Sequence, residues 1–255
     1  MNQFLLVCGA GLLAGAMNAL AGGGSFVSLP ALIAAGVPSV AANASSTVAL
    51  FPGGAASAWA YRDWLGPPVG SVSLRALLPA TLAGGVIGAV LLLWTPIRTF
   101  DLVLPWLLLL AALALGFGRQ LGARLRQRWR VRPAAVLAAQ FALAVYGGYF
   151  GGAVGIMMMA VWGLLDGSDL KNLNAPRTLL VTAANAMAVL IFILAQAVYW
   201  RETAPMLVAA TLGGYGGAQI GRRAPAKAIR AGTVLLTAAI TLAFFARAYL
   251  QLPAP

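Results

Sequence analysis

GGGSFVSLPALIAAGVPSVAANASST, Gly22–Thr47, decides how the rest of the chain reads. A glycine triplet opens it, and the apolar run that follows, 25–35, is short. Its second half has an echo at a shift of 131 positions: Gly24 falls on Gly155, Gly36 on Gly167, Asn43 on Asn174, Ala44 on Ala175 and Thr47 on Thr178. A later echo, at a shift of 130, sets Ala80-Thr81-Leu82-x-Gly84 against Ala210-Thr211-Leu212-x-Gly214. Small residues match by chance in an Ala- and Gly-rich chain. Several matches in one order at nearly one offset read instead as a duplicated unit.

Composition says where that unit lives. The 255 residues are 61% hydrophobic and 9% charged, and mean hydropathy is +0.88. Soluble domains carry about 25% charged residues, so this chain has too little charge to cover a surface facing water. No period-2 pattern of strands is visible, which argues against an outer-membrane barrel. The reading is an all-α, polytopic helical membrane protein. Seventeen Lys and Arg against five acids give a net charge of +12. In a soluble protein that excess suggests nucleic acid; here it sits in short loops between apolar runs, where cytoplasmic loops of membrane proteins carry it. Cys8 is the one cysteine, so no intrachain disulfide forms. No basic segment precedes the first run, and Met1–Ala21 reads as a retained helix rather than a removed signal.

Apolar runs fall at about 3–21, 25–35, 43–60, 75–94, 101–118, 134–150, 154–165, 174–196, 204–221 and 228–250. Crossing the hydrocarbon core takes about 20 residues. The second and seventh runs cover only roughly 18 Å of a roughly 30 Å core. Each follows a glycine cluster, Gly22-Gly23-Gly24 or Gly151-Gly152, so each joins the preceding helix as a bent pair whose turn lies inside the membrane. Irregular backbone at that depth needs protein or a water-filled cavity around it.

The linker 119–133 holds six Arg (119, 124, 126, 128, 130, 132), and a second cluster, Arg222, Arg223, Lys227 and Arg230, follows the ninth run. Both are expected in the cytoplasm. The chain between them then crosses an even number of times, and each half an odd number, whether the bent pairs cross or re-enter. The two halves, 1–118 and 134–255, are therefore expected to be inverted repeats with about 8–10 transmembrane segments. Trp64, Trp94, Tyr199 and Trp200 lie at run ends, as interfacial aromatics do. Glycines four apart, such as Gly11/Gly15 and Gly84/Gly88, suit close helix packing in lipid.

Inverted repeats with broken helices are a transporter architecture, with substrate near the midplane. Helix ends at the breaks attract anions through exposed N–H groups and the helix dipole. Ser25 suits an N-cap there and Ile156 does not. Arg177 lies one turn into a long apolar run beside Pro176. A charge in that place points to function, unless it snorkels to the headgroups. Asn43 and Asn174 either cap helices or give amide N–H groups to a substrate. Thr47 and Thr178, four residues on, extend the same face or bond back to the preceding turn.

Absences narrow the chemistry. The sequence has no His, and its five acids fall in loops or at run ends. No P-loop and no Cys/His metal pattern occurs. An enzyme, a cofactor and a nucleic-acid partner are therefore not expected.

At these residues the chain resembles the sulfite exporter TauE/SafE family of bacterial membrane proteins. The resemblance rests on AGAMNALAGGGSFVSLPALIAAGVPSVAANASSTVALFPGGAASAWAYR, Ala14–Arg62, and GGYFGGAVGIMMMAVWGLLDGSDLKNLNAPRTLL, Gly147–Leu180. It implies a permease in the bacterial cytoplasmic membrane for sulfite or an organosulfonate. It carries Gly22, Gly23, Gly24, Asn43 and Thr47 into the first motif, and Gly155, Asn174 and Arg177 into the second. Family members often have Lys at the position of Arg177, whose planar fork grips an oxyanion in a way an ammonium does not. The expected substrate contacts are thus Asn43, Thr47, Asn174, Arg177, Thr178, Gly23, Gly24 and Gly155, with a small anion and the bilayer as partners and room for a homo-oligomer. A passive anion channel and a non-transporting scaffold subunit are the alternatives.

Overall fold

The computed structural model describes residues 2–20, 22–62, 72–125, 132–165, 173–221 and 226–250. Its regular elements are ten helices: α1 (Asn2–Leu20), α2 (Ser25–Ala34), α3 (Ser39–Ala60), α4 (Leu74–Trp94), α5 (Ile97–Leu125), α6 (Pro133–Phe150), α7 (Val154–Leu165), α8 (Asn174–Leu194), α9 (Trp200–Gly221) and α10 (Ala226–Tyr249). Among the described residues no strand element accompanies them. Each apolar run of the sequence is one helix. Trp64, Asp63, Asp166, Gly167, Asp169, Arg222 and Arg223 lie outside the described residues.

Three boundaries differ from the hydropathy reading. α3 begins at Ser39, four residues before its apolar run, because Pro38 (φ −55°, ψ 142°) holds the backbone that enters a first turn. Asn43 therefore lies inside α3 and does not cap it. At α2, Gly24 is the N-cap and no side chain bonds the first turn, so Ser25 is a helix residue rather than a cap. α5 continues through Leu125, making the first part of the basic linker helical; residues 126–131 lie outside the described residues.

Among the described residues six helices are long and apolar enough to cross a membrane: Gln3–Leu20, Leu74–Trp94, Ile97–Ala114, Pro133–Phe150, Ala175–Leu194 and Ala231–Tyr249. α2 and α7, with 10 and 12 residues, are too short. α3 has the length, 22 residues, but carries Ser39, Asn43, Ser45 and Ser46, all buried. A helix walled in by its neighbours need not be apolar, so hydropathy undercounts it.

Helix pairing shows an exchange pattern. α1 packs on α9 as α4 packs on α6, and α3 on α9 as α4 on α8. The α1–α2, α2–α3 and α1–α3 contacts have counterparts in α6–α7, α7–α8 and α6–α8. α3 meets α8, and α5 meets α10, as partners of their own kind. The broad contact of α5 with α7 has no counterpart of that extent.

Two seams without side-chain bulk hold these layers. A Cβ on Gly15 would collide with the Ala210 carbonyl of α9, and one on Gly213 with the Leu12 carbonyl of α1. Across the other seam, a Cβ on Gly88 would strike the Val145 carbonyl, and one on Gly148 the Gly85 carbonyl. Lipid tails give no hydrophobic drive between helices, so backbone-close packing supplies the contact. A buried polar knot fixes α4, α6 and α7 together. Gln140 Nε2 donates to Thr81 Oγ1 at 2.8 Å, and Trp162 Nε1 donates to Gln140 Oε1 at 3.1 Å.

These seams yield a prediction. Gly15→Val and Gly88→Val should each lower stability by about 1–3 kcal/mol or more through overpacking, seen as an earlier melting transition in detergent. Gly9→Ala, where an added Cβ meets nothing within 4 Å, should melt like wild type. Equal melting of all three variants would refute the seam.

Candidate functional site

Chain breaks position the site. After α1 the backbone takes left-handed values at Gly22 (φ 76°) and Gly23 (φ 90°); after α6 it does so at Gly151 (φ 70°) and Ala153 (φ 56°). Glycine enters that region without the Cβ clash that other residues meet, which is why both turns carry it. Gly22 N–H bonds back to the Asn18 carbonyl at 3.2 Å, and Phe26 N–H to the Gly23 carbonyl at 3.0 Å. The breaks lie close together. A methyl on Gly22 would sit 3.5 Å from Ile156 Cδ1 of α7, and one on Gly151 would sit 2.9 Å from Thr47 Oγ1 of α3.

Between them is a cavity of about 840 Å³. The first half of the chain lines it with Asn18, the first break, α3 from Thr47 to Ala60 and its C-cap Tyr61; the second half lines it with the second break, α8 and α9. α8 contributes one stripe, Thr178, Val181, Thr182 and Asn185, with Arg177 beside it. These positions follow from helical spacing of three and four. Among the described residues Arg177 is the charged side chain in this wall, and no carboxylate joins it.

Arg177 is half-buried. Its stem runs beside the second break, where a Cβ on Gly155 would lie 3.7 Å from Arg177 Cδ and Nε. Arg177 Nη2 is 3.5 Å from Thr178 Oγ1, a long contact that leaves most of the guanidinium's donor capacity unused by it. Tyr61 lines the same cavity. The wall thus offers a fixed cation, hydroxyls, amides and glycine backbone. Around one positive charge, the polar groups of the described residues in this wall are hydrogen-bond donors and acceptors.

The predicted positions divide. Gly23, Thr47, Gly155, Arg177 and Thr178 line the cavity. Thr47 Oγ1 donates to the Asn43 carbonyl at 3.0 Å, the bond back to the preceding turn. Asn43 is buried and stands outside the lining; its Nδ2 donates to the Tyr149 carbonyl of α6 at 2.9 Å, tying α3 to α6. Gly24 also stands outside the lining. Its missing Cβ lets α2 start against the Ala14 carbonyl and Asn18 Cβ of α1. Asn174 opens α8, and its side chain lies outside the described residues.

Sequence reasoning passed over Asn18, Tyr61, Thr182 and Asn185. A signal existed for two of them: Asn18 and Asn185 are amides inside apolar runs, where polar groups are costly unless they face a bundle interior. Asn185 Oδ1 is buried without a hydrogen-bond partner. Tyr61 gave no such signal, because an aromatic at a helix end also suits the interfacial belt.

The sequence comparisons agree with this architecture. The model of the family described as sulfite exporter TauE/SafE matches residues 7–244. The chain is 32% identical over 232 residues to the Escherichia coli (strain K12) "Probable membrane transporter protein YfcA", covering 90% of this chain and 85% of that protein. It is 31% identical over 226 residues to the Sinorhizobium sp "Probable membrane transporter protein ORF9", covering 86% and 81%. A Haemophilus influenzae "Probable membrane transporter protein" is 29% identical over 220 residues, covering 85% and 84%. No solved structure matches the chain. A match over nearly the whole length, on a bundle of membrane-crossing helices around a polar hollow, places this chain in the sulfite exporter TauE/SafE family of membrane transporters.

Proposed function

We propose that the protein is a secondary transporter that moves a small anion, sulfite or an organosulfonate, across the bacterial cytoplasmic membrane by alternating access. The observation that carries this reading is the placement of Arg177 in a cavity walled by both helix breaks. A guanidinium offers donors in a fork that matches an oxyanion, and Gly23 and Gly155 line the same hollow without side-chain bulk. Gly23, Thr47, Gly155 and Thr178 complete the contacts. Asn43 acts by tying α3 to Tyr149 beside Thr47, and Asn174 sets the start of α8 one turn before Arg177.

In this reading α1–α5 and α6–α10 are the two inverted repeats, joined by the basic linker on the cytoplasmic side. The exchanged pairing of α1–α9 with α4–α6 supports the duplication. Rocking of one repeat against the other would expose the cavity to each side in turn. The family name and the names of the relatives support transport; the sulfur substrate rests on the family name and on the fit of a small oxyanion to one cation.

Two outcomes test the proposal. In proteoliposomes loaded with sulfite, Arg177→Ala should slow flux about 10–100-fold, the loss of a charge-assisted, forked contact. Arg177→Lys, which keeps the charge and loses the fork, should fall between. Flux in Arg177→Ala equal to wild type would remove Arg177 from the site. Asn43→Ala strands the Tyr149 carbonyl and should lower stability by about 1–3 kcal/mol. An unchanged denaturation midpoint would show that the α3–α6 tie is not needed.

A further inference from the structure

The wall of the cavity is not equally anchored along α3. Up to Ala49 the helix is clamped. Ser46 Oγ and Ser28 Oγ of α2 share a hydrogen bond of 2.6 Å, Asn43 Nδ2 donates to the Tyr149 carbonyl at 2.9 Å, and Tyr199 N–H donates to Ser45 Oγ at 3.0 Å. Ala42, Asn43, Ala44, Ser45, Ser46, Val48 and Ala49 are all buried. Past Pro52 the picture changes. Of residues 53–60 only Ala58 is buried, and one hydrogen bond reaches another helix: Thr182 Oγ1 of α8 donates to the Gly54 carbonyl at 3.1 Å.

The junction is built to bend. Pro52 has no N–H to give the Val48 carbonyl and crowds the preceding turn, so the helix is weakest there. Gly53 follows at once. At the breaks Gly22, Gly23 and Gly151 need positive φ, and on α1 Gly15 meets neighbouring backbone. Gly53 does neither. It is helical, and an added Cβ would meet nothing within 4 Å. What sets Gly53 apart is its place: a residue that weakens a helix directly after the proline that already breaks the hydrogen-bond ladder, at the boundary between the clamped and the loosely held parts of α3.

We propose that Pro52–Gly54 is a hinge, and that Gly53–Ala60 is a gate on the cavity held in the present position by the Thr182 hydroxyl. Pro52, Gly53, Gly54, Ser57 and Ala60 line the cavity, so swinging this segment on the clamped half of α3 changes access to Arg177. Its meaning rests on the transporter reading, but its test needs no substrate and can fail while that reading stands.

Nitroxide labels on Ala60→Cys and Leu91→Cys in a Cys8→Ser background report the gate by pulsed electron paramagnetic resonance in liposomes. Both sites are in the first half of the chain, so rocking of one half against the other leaves the pair unchanged. A control pair in the same half, Leu13→Cys and Leu91→Cys, avoids the hinge; Leu13 and Leu91 are both exposed. The hinge predicts two distances for the gate pair. Thr182→Val, which removes the latch, should raise the weight of the distance away from the present position at least threefold. Gly53→Ala, which fits the open space, should lower that weight at least threefold. The control pair should give one distance in every variant, which also reports that each has folded. A single gate distance, unmoved by either substitution while the control holds, would overturn the hinge. So would two distances whose weights ignore both changes.

Discussion

A bilayer core holds no water to satisfy a broken backbone, and each unpaired N–H or C=O there costs several kcal/mol. Two interrupted helices in one small chain are therefore tolerable only where protein or a wet hollow receives their ends. The rest of the structure meets that demand. The turns at Gly22–Gly24 and Gly151–Ala153 both open on the same cavity, and α3 and α8 close its sides. The seam glycines, Gly15 against Ala210 and Gly88 against Val145, bring the outer helices close enough to enclose it.

Once the breaks are placed, the chemistry has few options. Arg177 stands beside Gly155, where an added Cβ would touch its stem in ordinary van der Waals contact at 3.7 Å. Burying a guanidinium is expensive, and the polar wall around it, Thr47, Thr178, Thr182 and Asn185, moderates the cost without neutralising the charge. A hollow that is cationic, free of carboxylates among the described residues, and lined by donors favours an anion. The N-termini of α2 and α7 stand at these breaks, so the helix ends that suit an anion and the backbone that must be satisfied meet at one hollow.

Much of this was legible in the chain. Glycine clusters ahead of two short apolar runs located both breaks, and hydropathy found all ten helices, because in lipid each crossing must be a helix. Arg177 stood out because charge is rare in apolar runs. Other features depended on distance information that a sequence lacks. Asn43 reads equally well as cap or ligand until α3 is seen to start at Ser39 and its amide to reach Tyr149, 106 residues away. Gly24 and Gly155 fall on each other at the shift of 131, yet one packs against Ala14 and the other faces the cavity. Asn185 carried a signal as an amide in an apolar run, and Thr182 lies one turn after Thr178 on the same face; that this face of α8 closes the cavity is known only from the packed helices.

The central claim is that the hollow between the two breaks is where the anion sits. Anomalous diffraction from the protein crystallised with selenite, a heavier analogue of sulfite, tests it most directly. The account predicts a selenium peak within hydrogen-bonding range of the Arg177 guanidinium, between Gly155 and Thr47, and its absence in Arg177→Ala. An empty cavity with selenium bound elsewhere on the chain would contradict it.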